Sequence, residues 1–432
     1  MARQAFSLIL ASILFLAACS DATQGTATAL PPPTSLPTFP TSAPTDTPDS
    51  TPTSDLASPT SATTLTPDAT PIPTLPAGTL VRLAAIQMLN ELEGWGIAEQ
   101  DGRPVSALKT MDSGLTWVDR SSGVGSQGEI TGEKIAAWSF LDTDHTWIMY
   151  SSDDPMEPPP AEPVVWFTVD GGVTWEASSP LQPHELAEFF IPGEMRFTDP
   201  QHGSLMIHVG AGMSHDYISL YKTSDGGREW DLAADPTTAS EIQGCQKSGM
   251  SFSGESLGWL TVDCLGVVPG AIVYQSEDDG ESWSQVTLPP PETFPDLFPG
   301  ASCSTAEPLL FDDQGGELLM RCRSGSTGEV ETNFLYRTID RGATWESSSF
   351  PGGDLEVVDD LTTWAVGESI YLSQDGGRTW ELTGAAPWVG DAEFIDKTNG
   401  WLLNPAVAQN LIARTTDGGQ SWINVEPLLF PD

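Results

Sequence analysis

From about residue 85 to 425, short runs of alternating apolar and polar residues are separated by turn residues, with no helical periodicity of useful length. One pattern recurs: an apolar strand, a polar turn, then often Gly-Trp or Thr-Trp. It runs from Met88 to Trp95, Phe140 to Trp147, Phe252 to Trp259, Val358 to Trp364 and Phe394 to Trp401, while two repeats carry Ser204 and Glu317 near the Trp position. Downstream of each copy lies a tighter signature, Ser/Thr-x-Asp-x-Gly-x-x-Trp. Its seven acidic centres are Asp112, Asp170, Asp225, Asp278, Asp340, Asp375 and Asp417, and its closing aromatics are Trp117, Trp175, Trp230, Trp283, Trp345, Trp380 and Trp422. Each unit therefore reads strand, turn, strand, loop, strand, Asp turn, strand: a four-stranded antiparallel meander.

Seven such units over residues 79–432 imply an all-β fold, a seven-bladed β-propeller, because closing the ring protects the sheet edges. The Asp carboxylate and the Ser/Thr hydroxyl suit a turn whose backbone N–H groups need acceptors. Gly suits its positive-φ position. Seven carboxylates invite a catalytic or calcium reading, but one structural role repeated seven times explains them better, and the Trp side chains are assigned to blade packing. The pattern leaves two ways of closing the ring: no strand exchanged between the termini, or Thr79 to Leu83 adding a strand to the last blade.

The N-terminus is of another kind. Residues 1–18 hold Arg3, an apolar stretch from Ala5 to Ala17, and the ending Leu16-Ala17-Ala18 before Cys19, which is too short to span a bilayer and reads as an export signal. The small-small-Cys ending resembles a bacterial lipobox, which implies lipidation of Cys19, a membrane attachment and a location on the outer face of the cell membrane. Residues 19–78 are rich in Pro, Thr and Ser with a single aromatic, Phe39, and cannot bury enough apolar surface to offset their ordering entropy. They read as a disordered tether reaching on the order of 50–150 Å.

The net charge of −43 comes from only 17 Lys and Arg against 60 Asp and Glu, which speaks against nucleic-acid partners. Four cysteines remain. Cys245 and Cys264 are nineteen apart, as are Cys303 and Cys322, and each pair brackets one hairpin. Export permits oxidation, and of the three pairings Cys245–Cys264 with Cys303–Cys322 is the one this bracketing favours. No close Cys/His cluster points to a metal, and no motif implies a cofactor.

The Asp signature resembles the BNR/Asp-box propellers, which include sialidases, xyloglucan hydrolases, the sortilin ectodomain and the photosystem II assembly factor group. The nearest local likeness is to the last of these, through Asp359 to Gly367 and Ser373-Gln-Asp375-Gly-Gly-Arg-Thr-Trp380. A sialidase implies an arginine triad and an Arg-Ile-Pro signature. The signature is absent, and Arg228, Arg341 and Arg378 lie inside Asp turns. A xyloglucan hydrolase implies paired carboxylates in a cleft between two propellers. An assembly factor implies a basic client-binding patch, whereas this chain is acidic.

Function is expected on the face opposite the Asp turns, in the loops Ser151 to Pro163, Leu181 to Gly193 and His208 to Tyr217. Candidate ligand residues are His184, Glu185, Glu188, His208, His215, Asp216 and Trp388. The reading that follows is a monomeric, non-enzymatic module that binds or scaffolds a protein or glycan. The alternative is a glycan-active hydrolase using loop carboxylates.

Overall fold

A computed structural model describes residues 78–430, except 101–102, 122–123, 125–133, 153, 155–161, 186, 214, 255, 265–269, 299–300, 325–329 and 405–410. The expectations for the export signal, Cys19 and nearly all of the 19–78 tether fall outside the described residues, as does most of the Ser151 to Pro163 loop. No helix among the described residues is long and apolar enough to cross a membrane.

The described chain is a seven-bladed β-propeller of antiparallel sheets, with one short 3-10 turn at Ser240–Ile242. The first strands line the centre in order: Arg82–Met88, Lys134–Phe140, Ile191–Phe197, Gln246–Ser253, Ala301–Thr305, Asp354–Val357 and Ala392–Phe394. The first strand of blade one packs against the first two strands of blade seven, which completes the ring. Because each blade is a simple meander, the turns joining strands one to two and three to four lie at one end, the turn face. The remaining hairpins and the links between blades lie at the other, the loop face.

Ring closure takes neither of the two expected forms. Leu428–Phe430 crosses from blade seven and pairs in parallel with Thr116–Asp119, becoming a fifth strand on blade one. The lead-in segment holds it from the other side: Leu429 donates to the Thr79 carbonyl at 2.9 Å and Val81 donates to the Pro427 carbonyl at 2.9 Å. Three residues leave too little periodicity to be read as a strand, and the parallel partner is more than 300 residues away.

The Asp turns share one hydrogen-bond plan. Asp278 Oδ1 accepts from the Ser282 amide at 2.8 Å, its Oδ2 accepts from the Ser282 hydroxyl, and Ser276 Oγ accepts from the Gly280 amide at 2.8 Å. Asp112, Asp170, Asp340, Asp375 and Asp417 repeat this set, and Asp225 accepts from Arg228 and Glu229 amides instead. Gly at the second position after Asp is left-handed throughout, and so is the residue before it. That earlier slot is Gly171, Gly226, Gly376 and Gly418 in four blades but Ser113, Asp279 and Arg341 in the others, with φ of 60–68°. The amide of this residue donates to the carbonyl of the first turn of its own blade in every case, for example Gly171 to Asp144 at 3.0 Å.

That first turn carries a second repeated cap. Asp142, Asp199, Asp312, Asp359 and Asp396 each accept from backbone amides two and three residues on, as does Asn90. Blade four has Ser253-Gly254 there and lacks the cap.

The second-strand tryptophans Trp95, Trp147, Trp259, Trp364 and Trp401 are fully buried. They are inter-blade wedges. The Trp147 ring stacks on Phe197 of the next blade at 3.5 Å and the Trp364 ring on Phe394 at 4.1 Å. The indole N–H groups of Trp95, Trp147, Trp364 and Trp401 reach the turns of the next blade, Trp95 to the Asp142 carbonyl at 2.9 Å and Trp147 to the Gly226 carbonyl at 2.8 Å. The closing tryptophans divide: Trp117, Trp175 and Trp283 are buried, while Trp230, Trp345, Trp380 and Trp422 are half-buried at blade edges. Both expected disulfides, Cys245–Cys264 and Cys303–Cys322, are present, the latter between directly paired residues of neighbouring strands.

Candidate functional site

On the loop face, blade three projects a long hairpin, Gly203–Gly212 followed by His215–Thr223, with a register shift between His208 and Gly210. At its tip Met213 is 93% exposed, an unusual position for a large apolar side chain. The hairpin is fixed from below. His208 Nδ1 and Asp216 Oδ1 lie 2.8 Å apart, and Asp216 Oδ2 accepts from the Lys247 amide of blade four at 3.0 Å. Lys247 Nζ donates to the carbonyls of Asp216, Gly244 and Cys245 at 2.7, 3.2 and 3.0 Å. Burial pushes the Lys247 ammonium down to about 8, with the Asp216 charge opposing. Burial pushes Asp216 up, but the hydrogen bond and charge of His208 and the charge of Lys247 outweigh it and hold the carboxyl below its usual range.

His215 bridges to Cys245, itself locked to Cys264, and the His215 ring stacks on Tyr217 at 5.7 Å. Blades three and four thus share one rigid patch presenting His215, Tyr217 and Met213. The Leu181 to Gly193 link docks beside it, with the Glu188 amide donating to the Val209 carbonyl at 2.8 Å and the Tyr221 hydroxyl donating to the Gln182 carbonyl at 2.7 Å. His184 sits 3.8 Å from Asp235 rather than beside His208, and the Glu185 and Glu188 side chains are exposed. Six of the seven expected residues therefore gather around blade three. Trp388 does not: its indole donates to the Leu403 carbonyl at 3.0 Å and its ring packs into the core of blades six and seven.

A second group, absent from the sequence reading, lies on the inner strands. Glu194 of blade three is half-buried and accepts from the Met250 amide of blade four, while Arg196 pairs with Glu307 of blade five at 3.1 Å. Burial, then the Glu307 charge, push the Glu194 carboxyl well above its ordinary value, against the pull of the Met250 amide and Arg196. The available signal was an acid amid apolar neighbours in Ile191–Phe197. Among the described residues no group of three or more His, Cys, Asp or Glu is arranged to hold a metal. Arg228 and Arg378 donate to the carbonyls of their own turns at 2.8 and 2.9 Å, and Arg341 donates to the Asp313 carbonyl at 3.1 Å, so they serve the turn face.

Fold and repeat define the class: the chain is a seven-bladed β-propeller built on seven copies of one Asp turn, with homologues among the Ycf48 proteins. It is similar to the photosystem II assembly lipoprotein Ycf48 of Synechococcus sp. (strain CC9902), 28% identical over 210 residues, covering 48% of this chain and 51% of that protein. It is also similar to the xyloglucanase Xgh74A of Acetivibrio thermocellus, 23% identical over 312 residues, covering 60% of this chain and 36% of that protein. The chain thus spans about half the length of the first curated relative and about a third of the second. A solved structure of YCF48 bound to D1 peptide superposes with a TM-score of 0.44 at 18% identity, covering 82% of this chain and 96% of that one. No family model matches the chain.

Proposed function

We propose that this chain is an exported propeller, anchored through a lipid on Cys19 to the outer face of the cell membrane. On a 19–78 tether it presents the blade-three loop patch to a protein partner and scaffolds its assembly. The observation that carries the reading is the hairpin tip: Met213 is 93% exposed on a hairpin pinned by the His208–Asp216–Lys247 network. A rigid, apolar-tipped projection suits protein recognition, since its ordering entropy is already spent before binding. The likeness to a protein named as an assembly lipoprotein supports the same reading. Met213→Glu is expected to weaken capture of the native partner at least tenfold without changing the melting temperature, and Val173→Glu on the turn face to leave capture intact. Equal capture by both variants would overturn the assignment.

A glycan-active hydrolase is the second reading, favoured by the xyloglucanase likeness and by Glu194 beside Glu307. A carboxyl with a raised pKa is the kind of general acid that glycoside hydrolysis uses, and Glu307 supplies a second carboxyl group. Release of reducing ends from xyloglucan, abolished by Glu194→Gln, is the result that would establish it.

A further inference from the structure

Three departures from the repeat meet at one place on the turn face, between blades three and four. Blade three has Ser204 where five other blades have the second-strand Trp. Blade four lacks the acidic cap on its first turn and has Gly254 there. Its Asp turn holds Asp279, at φ 60°, in the left-handed slot that is Gly in four blades. Ser204, Gly254 and Asp279 all line a cavity of about 200 Å³, with Arg196, Lys222 and Phe252.

The missing indole explains the space. In the strand register Ser204 sits between Arg196 and Lys222, the position from which a Trp would cover the next blade's Phe. In blade two that contact is Trp147 on Phe197 at 3.5 Å. In blade three the face of Phe252 meets instead the ammonium of Lys222, 3.5 Å from the ring centroid. Blade five also lacks the Trp, but there Glu317 fills the slot, buried against Arg337 at 2.9 Å and Thr363 at 3.3 Å. The blade-three vacancy joins an open aromatic wall to cationic groups. Arg196 and Lys222 line it against one acid, Asp279, in a chain with 17 Lys and Arg in all.

We propose that this cavity is a binding pocket for a carboxylate carried on a flat aromatic body. The ring takes the volume and the Phe252 contact that the repeat assigns to indole, and the carboxylate takes charge-assisted hydrogen bonds from Lys222 and Arg196. Asp279, 2.5 Å from Lys222 with its side chain 43% exposed, is the internal competitor that the incoming carboxylate displaces. It occupies a backbone conformation that disfavours non-glycine residues, and strain of this kind concentrates at functional positions.

The test is titration of the full chain with indole-3-acetate by calorimetry and saturation-transfer NMR. Binding is expected, at least tenfold tighter than for the neutral indole-3-acetamide. Ser204→Trp, which restores the repeat's own residue, is expected to abolish it and to raise the melting temperature. Lys222→Met is expected to weaken it at least tenfold, and Asp279→Gly to strengthen it at least threefold. These two variants decide the question if Ser204→Trp does not fold. Displacement of the probe by Gly-Gly-Trp but not by its C-terminal amide assigns the pocket to a chain end, and failure to displace assigns it to a free acid. No binding of either probe, or binding unchanged in Ser204→Trp and Lys222→Met, would overturn the proposal.

Discussion

The Trp401 indole donates to the Ser113 carbonyl at 3.1 Å, tying the second strand of blade seven to the Asp turn of blade one. It is the same wedge that joins consecutive blades elsewhere, here made between residues 288 apart in sequence. The ring is therefore closed twice: by this wedge on the turn face and by Leu428–Phe430 on the outer edge of blade one. Leu429 and Trp401 share one buried cluster with Val81, Trp117 and Ile412.

Both closures are expected to matter to stability. Trp401→Phe removes the hydrogen bond and part of the ring, and should cost about 1–2 kcal/mol. Trp401→Ala should cost about 3–5 kcal/mol as a large-to-small change in a core. Deletion of residues 427–432 should expose blades one and seven to limited proteolysis before the others. Urea titration and mass mapping of the first cleavage sites check these outcomes, and a first cut in blade four or five would contradict the account.

The left-handed slot of the Asp turn predicts substitutions of opposite sign. A non-glycine residue there costs about 1–2 kcal/mol, partly offset by the extra chain entropy glycine loses on folding, about 0.5–1 kcal/mol. Arg341→Gly should therefore stabilise by about 0.5–1 kcal/mol, less whatever its bonds to Asp313 and Ser256 contribute. Gly418→Ala should destabilise, since an added Cβ would lie 2.8 Å from the Lys397 carbonyl oxygen at φ 72°. Thermal melts of the two variants under one buffer decide the point.

Glu194 predicts a pH dependence. Its folded carboxyl is raised above the unfolded value, chiefly by burial and then by Glu307, so folding takes up a proton. The neutral form is intact below the unfolded pKa of about 4.3, and stability is lost as pH rises from there toward the folded pKa. Glu194→Gln keeps an acceptor for the Met250 amide and removes the titration. The variant should match or fall below the parent at pH 4 and exceed it at pH 8, in denaturation at both pH values. The Asp278 turn acts with the opposite sign. In Asp278 burial raises the carboxyl, but the Ser282 and Ser276 bonds outweigh it and hold the value below usual, so this contribution is present above the unfolded pKa and is lost as pH falls through the folded one.

Much of this fold was legible because its strongest signals are local. The Asp turn needs an acceptor, a hydroxyl and a glycine within a few residues, and the chain writes them together seven times. The cap on the first turn is not legible in the sequence because Asn90, Asp142, Asp199, Asp312, Asp359 and Asp396 sit in turns of otherwise variable composition. The positive-φ slot was masked by Ser113, Asp279 and Arg341, whose side chains give no hint of their backbone conformation. The candidate residues around His208 lie in one stretch of sequence, but their partners do not. Lys247 comes from the next blade, and register between blades is set by wedges such as Trp147 on Phe197 rather than by spacing along the chain. Ser204 was visible as a break in the repeat. What it opens depends on Lys222 and Phe252, which only the fold brings together.

The central claim is that the loop patch on blade three meets a protein. Its most direct test is photo-crosslinking in the producing cells, with a photoreactive residue at position 213 and a control at Val173 on the turn face, which is 67% exposed. A single protein adduct from position 213 that is absent from position 173 is the expected result. Equal labelling from both positions, or adducts from 173 alone, would contradict it.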